Sequence, residues 1–436
     1  MARLRVLTTM LLVLIALSIC GAACKAATAQ SPLDAYISRP DSSYTWAKEE
    51  DTRMLNGVTM TRISMTSQTW QGIVWKHELD ILRPEKLRDG STALLLITGG
   101  HGSAGVLNVL SQASNVIGMP IAVLFDIPNQ PLFGGKREDE IIAYTFIQCL
   151  KTGDNTWPLL FPMTKSAVRA MDTIQKISET EWKSPVKGFV VTGASKRGWT
   201  TWLTGVVDKR VVGIAPSVYD NLNLPAQMKQ QVEYYGKYSE MISDYSENQL
   251  PQLLSSDQGR EFARMVDPYT FVSRLTMPKL LLLGSNDPYW TLESANLYFN
   301  DLPGDKHIVY VPNIGHEALT QSQSLSALGN FAIACSEKKT LNKIDWSYSD
   351  KPDGLELSIR PTGAPTVVKA WTALSDTRDF RKAKWTDQKI TSTGDSFNFT
   401  LSRPKSGYAA VFGEVTYAGK AGPLSLSTIP KILPAK

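Results

Sequence analysis

Lys187-Gly188-Phe189-Val190-Val191-Thr192-Gly193-Ala194-Ser195-Lys196-Arg197-Gly198-Trp199-Thr200-Thr201-Trp202 is the stretch that decides how the chain is read. Its first part is an apolar, β-branched run between Pro185 and Gly193, the pattern of a short buried parallel strand. Trp199, Trp202, Leu203 and Val206 then recur at helical spacing. One serine, Ser195, sits on the turn between them. A serine hydroxyl is a weak nucleophile until a base takes its proton. A sharp strand-to-helix turn lifts it clear of the sheet and aims the helix N-terminus at a developing oxyanion. Gly193 relieves crowding in such a turn. The fit to Gly-x-Ser-x-Gly is imperfect, because Arg197 stands two residues after the serine and the next glycine is Gly198.

Working outward, apolar runs alternate with helical patterns. Ala93-Leu94-Leu95-Leu96-Ile97 reads as a buried strand ending in Thr98-Gly99-Gly100-His101-Gly102, and Pro120 to Phe125 as another. Ile141 to Leu150 and Lys165 to Ile177 read as helices. Val211 to Ala215, Lys279 to Leu283 and His307 to Val311 read as further strands, with a last helix from Glu317 to Cys335. Trp70 to Ile81 alternates and reads as antiparallel. Such alternation predicts a mostly parallel sheet covered on both faces. Asn221 to Met265 is too long for an ordinary connection and is expected to cap the site, at about 221–266; the plainer reading is a peripheral helical insertion. Past Lys338 short alternating strands predict a small β-sandwich-like domain over 341–436, separable from a main domain over 30–340.

Open α/β sheets carry their chemistry at the carboxyl ends of strands. Three such ends hold, in chain order, Ser195, Asp287 and His316. That order is the one expected of an α/β-hydrolase fold. His316 is the candidate general base, and Asp287 fixes its tautomer and stabilises the imidazolium. Plainer roles are an N-cap before Pro288 for Asp287 and a cap on the final helix for His316. Asp220, after Ser217-Val218-Tyr219, is a second candidate acid; Asp267 precedes its strand and fits less well. The oxyanion donors are expected from the Lys196 backbone N–H and from the loop of Gly100 and His101. The Lys196 ammonium either reaches the carbonyl oxygen or a nearby anionic group, or points to solvent. Trp199, Trp290 and the cap residues Tyr234 and Tyr235 are the candidate substrate contacts. His77 and His307 are expected to be structural. No metal-ligand spacing, phosphate loop or dinucleotide fingerprint occurs, so neither a metal nor a cofactor is expected.

The 436 residues are 43% hydrophobic and 20% charged, an ordinary globular balance. Arg3 and Arg5 precede an apolar run from Leu11 to Ile19 and an Ala27-Thr28-Ala29 pattern, which reads as a secretory signal peptide over 1–29. Cys20 and Cys24 also admit a lipoprotein signal, and a non-cleaved anchor is the bland alternative. Removing 1–29 takes away Arg3, Arg5 and Lys25 and no acid, so the formal net charge falls from +5 to +2. That excludes a charge-driven case for nucleic acid and leaves a secreted or periplasmic protein with a small-molecule or acyl substrate, no integral membrane segment after processing, and envelope association as an option. Cys149 and Cys335 fit one disulfide or two buried thiols equally. Asn398-Phe399-Thr400 is a glycosylation pattern that matters only in a eukaryotic host.

At these residues the chain resembles the PhoPQ-activated pathogenicity-related protein family. The carrying segments are Gly193 to Trp202, Gly284-Ser285-Asn286-Asp287-Pro288-Tyr289-Trp290 and Pro312-Asn313-Ile314-Gly315-His316, with Val367 to Trp371 and Arg378 to Arg381 downstream. The resemblance implies an exported α/β-hydrolase-like protein with a C-terminal β domain, associated with bacterial envelope responses or, in eukaryotic relatives, with secreted signalling. It implies no substrate. The Ser-Lys-x-Gly spacing is also similar to that of glucuronoyl esterases, over the elbow alone.

Overall fold

The computed structural model describes residues 30–436 apart from Asp89 and Lys183, so the expected signal segment lies outside the described residues. Nine strands form one sheet in the order β1-β2-β3-β5-β4-β6-β7-β8-β9. Thr45–Arg53 (β1), Thr59–Trp70 (β2) and Ile73–Arg83 (β3) make its antiparallel edge. Gln71 and Gly72, both at positive φ, close the β2–β3 hairpin, so Trp70 to Ile81 runs from one antiparallel strand through a turn into the next. Thr92–Ile97 (β4), Ile121–Leu124 (β5), Gly188–Ala194 (β6), Val211–Ser217 (β7), Lys279–Gly284 (β8) and Lys306–Val311 (β9) are parallel. β8 is buried at every position, as Leu-rich strands covered on both faces must be.

The helices that matter are Pro32–Ser38 (α1), Ala104–Ile117 (α2), Glu138–Thr152 (α3), Leu160–Ile177 (α4), Lys196–Val207 (α5), Leu224–Tyr235 (α6), Asp257–Val266 (α7) and Ser322–Ser336 (α8). α4 packs on α5, and α8 packs on α2. Phe189 and Val191 point into one core, which contains Met163, Trp202 and Leu203. Val190 points into the other, which contains Leu107, Phe331 and Ala332. A strand whose successive residues enter different cores separates two covered faces. This is the α/β-hydrolase fold. α8 starts later than its apolar pattern predicts: a single turn at Ala318–Thr320 precedes it, with the Thr320 hydroxyl donating to the Glu317 carbonyl.

The C-terminal part is two antiparallel sheets. Ile344–Lys351 (β10), Gly354–Pro361 (β11), Ser392–Thr393 (β14) and Ser396–Ser402 (β15) form one. Val367–Ser375 (β12), Thr386–Lys389 (β13), Tyr408–Tyr417 (β16), Leu424–Ser427 (β17) and Lys431–Pro434 (β18) form the other. The apolar core runs across the join, since Trp385, Phe412 and Ile429 belong to the cluster that holds Tyr298 and Tyr310. The Tyr310 N–H on β9 donates to Ser427 Oγ on β17. A separable domain is therefore not what the packing favours. Cys149 and Cys335 are buried free thiols; burial pushes them up to about 11 and about 12, respectively. Among the described residues no helix is long and apolar enough to cross a membrane.

Candidate active site

β6 ends where α5 begins, and Ser195 is the hinge. Its backbone is strained, with φ 58° and ψ −126°, and its N–H donates to the Ser217 carbonyl on β7. Such a conformation costs about 1–3 kcal/mol and persists only where the surroundings impose it. Here they do. A Cβ at Gly193 would lie 2.8 Å from the Arg197 carbonyl oxygen, and one at Gly198 would lie 2.8 Å from the Ser217 carbonyl oxygen. Gly198 thus supplies the close approach to β7, which frees position 197 for a long side chain.

The Arg197 side chain runs back beneath the β4 loop. Its Nε donates to the Ile127 carbonyl at 2.6 Å, and its two other nitrogens reach Glu138 at 2.7 and 2.8 Å. A Cβ at Gly99 would overlap this guanidinium, which explains a glycine there. Lys196 is 7% exposed, and its Nζ sits 2.7 Å from Glu138 and 3.2 Å from Asp139. Burial alone would raise the Glu138 carboxyl, but Arg197 and Lys196 outweigh it and hold it well below the usual carboxylate range. The Lys196 side chain is not in solvent; of the expected partners it has nearby anionic groups, the Glu138 and Asp139 carboxylates. Its backbone N–H lies in the first helical turn, where no intrahelical acceptor exists.

Asp287 and His316 follow β8 and β9. His316 Nδ1 lies 2.9 Å from Asp287 Oδ2 and 3.1 Å from Oδ1, while its Nε2 has no hydrogen-bond partner in the protein. A carboxylate on Nδ1 fixes the tautomer that leaves Nε2 as the basic atom. Asp287 is 7% exposed and also accepts from the Tyr289 N–H. The Tyr289 ring stacks on the imidazole at 4.1 Å. Asp220 does not take this place. It is buried against Tyr298, whose hydroxyl donates to it at 2.6 Å, and burial, with the Asp287 charge, pushes it up to about 7. Asp267 instead caps backbone N–H groups of Leu224 and Tyr269.

Both triad loops are clamped from the β part. Asn286 Nδ2 donates to the Ala383 carbonyl at 2.7 Å. Asn313, at φ 60°, donates to the Trp385 carbonyl at 3.0 Å and accepts from the Trp385 N–H at 2.8 Å. Both asparagines stand within the motif segments, but their clamping role is not legible there, because the partners lie far along the chain.

Ser195, Lys196, Trp199 and Trp290 line one cleft. Trp199 stacks on Tyr219 at 5.0 Å and donates from Nε1 to the Val266 carbonyl. Gly100 has open space around it, and the His101 side chain is 88% exposed with Nδ1 3.0 Å from Asp126. Tyr234 and Tyr235 face elsewhere. The Tyr234 hydroxyl donates to Glu293, Tyr235 donates to the Trp290 carbonyl, and Arg378 and Arg381 lie over their rings. They hold the cap to the β part and are not among the residues lining the cleft, although Leu224 and Met228 of the same helix are. Missed in the sequence were Asp139, Tyr219, Tyr245 and Tyr289, all lining the cleft. The expected structural roles of His77 and His307 match their surroundings: His77 Nε2 is 2.9 Å from Ser67 Oγ, and burial lowers its pKa to about 4, while His307 pairs with Asp305. Among the described residues no group of His, Cys, Asp and Glu could hold a metal ion.

The family model described as PhoPQ-activated pathogenicity-related protein matches residues 33–381. Autocrine proliferation repressor protein A of Dictyostelium discoideum is 32% identical over 426 residues, covering 89% of this chain and 86% of that protein. Among solved structures, an acetyl xylan esterase from Paenibacillus sp. R4 superposes with a TM-score of 0.52 at 16% identity, covering 69% of this chain and 92% of the esterase. At that identity the likeness is one of fold.

Proposed function

The chain belongs to the PhoPQ-activated pathogenicity-related protein family, and from the geometry of its site we propose that it is an exported serine hydrolase that cleaves an ester or peptide-like acyl bond. The observation that carries this reading is the 2.9 Å His316–Asp287 contact, made by loops at strand ends beside the strained Ser195 turn. Ser195 Oγ attacks the acyl carbon as His316 Nε2 takes its proton, and Asp287 stabilises the imidazolium. The oxyanion meets the Lys196 N–H and a second donor from the Gly99–Gly102 loop. His316 then protonates the leaving group, and water, activated by the same base, releases the acid.

One observation favours a second reading. The Dictyostelium relative is named as a repressor of proliferation, so the chain would act by binding a receptor with its triad idle. A fluorophosphonate probe separates the two. Labelling of the wild type that Ser195→Ala abolishes is the expected outcome; folded wild type that takes no label favours the signalling protein.

A further inference from the structure

Ser195 opens onto a slot between the end of the sheet and the cap. Besides Trp199, Tyr219 and the α3 residues Phe146 and Leu150, its apolar lining includes the cap side chains Leu224, Met228, Ile242, Leu250 and Phe262. The space between the walls is about 830 Å³ with the open mouth included. Leu253 lines the slot and is 36% exposed, so an apolar lip leads in from solvent.

The charged groups in the lining are spoken for. Lys196 pairs with Asp139 at 3.2 Å, and the Tyr245 hydroxyl donates to Asp139 at 2.8 Å. The Tyr219 hydroxyl and the Asn221 side chain lie against each other and mark one polar position in the slot. A pyranose ring brings several hydroxyls and a wide cross-section, and would strand most of them against leucine and phenylalanine. A methylene chain is narrow and gains from every carbon it buries.

Which end of the substrate enters follows from the triad. The acyl carbon is bonded to Ser195, which lines the slot. The leaving group must take its proton from His316, whose side chain is 23% exposed and is not part of the slot lining. Tyr289, stacked on His316, stands between the two.

We propose that the slot between Trp199 and the cap is an acyl-chain site, and that the preferred substrates are esters of unbranched fatty acids well beyond acetyl, with the alcohol leaving on the His316 side. This rests on the serine-hydrolase reading. In the step, the Ser195 Oγ–acyl bond forms, the acyl–alkoxy bond breaks, and the Ser195 proton passes through His316 to the alcohol.

The test is a series of p-nitrophenyl esters from acetyl through butyryl and octanoyl to lauroyl, with octyl acetate as the reversed ester. kcat/KM is expected to rise by about tenfold or more from acetyl to octanoyl, with octyl acetate no better than a short acetate. Met228→Trp and Leu250→Trp, each checked by its melting curve, should lower the octanoyl-to-acetyl ratio by about tenfold. A wild type that turns over acetyl esters as well as octanoyl esters overturns the slot assignment and leaves the hydrolase standing. A second readout needs no turnover: binding of an octanoyl ester to Ser195→Ala should change Trp fluorescence. Binding there with no hydrolysis by wild type at any chain length overturns the hydrolase reading and the ester preference together. No binding, with normal turnover, overturns the slot alone.

Discussion

Ser195 and the His316–Asp287 pair are secured by different parts of the molecule. Ser195 is held from within the α/β layer, by a strained backbone, two glycines at close approach and the Arg197–Glu138 clamp. Asp287 and His316 ride on loops gripped from outside, by Asn286 and Asn313 bonded to the Ala383–Trp385 segment. The first arrangement is local and is almost complete between residues 126 and 217. The second depends on a chain segment roughly a hundred residues downstream of Asp287. The C-terminal β part is therefore a brace for the loops that carry Asp287 and His316, beyond being an appended module.

The largest effect expected from this contrast is on a chain ending near Lys339. It exposes the core faces that Phe412, Trp385 and Ile429 cover and frees both triad loops. Insolubility, or loss of esterase activity in any soluble fraction, is expected; a soluble, fully active fragment would show that the loops stand unaided.

Glu138→Ala attacks the other support. Arg197 is 11% exposed and loses its carboxylate, while Lys196 keeps Asp139. Stripping one partner from a fully buried pair costs about 3–5 kcal/mol. Glu138 is 40% exposed, so water softens the loss, and about 2 kcal/mol by urea denaturation is expected. Unchanged stability would mean that the elbow holds without its clamp.

Asn313→Gly removes the brace on the His316 loop without adding strain, since glycine tolerates the φ of 60°. A slack base misplaces the proton transfer, so kcat should fall about tenfold with KM little changed. A fall in melting temperature alone, with kcat intact, would reduce the contact to packing.

The smallest effect is a pH dependence. Asp220 is pushed up to about 7, chiefly by burial, from an ordinary value of 3.8. Between those values the folded state binds the proton that the unfolded state has released, so this group's contribution falls as pH rises from about 4 to about 7. Asp220→Asn keeps an acceptor for Tyr298 and removes the titration. The variant should gain on wild type as pH rises through that window, by up to a few kcal/mol. His77, lowered to about 4, works in the opposite sense but is common to both proteins and cancels. Parallel stability curves would mean that Asp220 is ionised when folded.

What the sequence made legible follows the same contrast. The sheet, the elbow and the three triad positions sit in contiguous apolar runs and short motifs, so their spacing could be read directly. Glu138 beneath Arg197, the asparagine clamps and the contacts of Tyr234 and Tyr235 join residues 55 to 97 positions apart. Helical spacing put tyrosines on the cap, but the Glu293 and Trp290 partners that draw them from the cleft lie beyond β8. The late start of α8 was hidden because Glu317 and Thr320 fit a helix as well as they fit a turn.

The central claim is that Ser195 carries the acyl group. It is tested most directly by quenching the enzyme in acid during turnover of p-nitrophenyl octanoate and mapping the adduct by peptide mass spectrometry. The account predicts an octanoyl group on the peptide containing Ser195, absent from Ser195→Ala. Steady hydrolysis with no adduct, or with the acyl group on another residue, would contradict it.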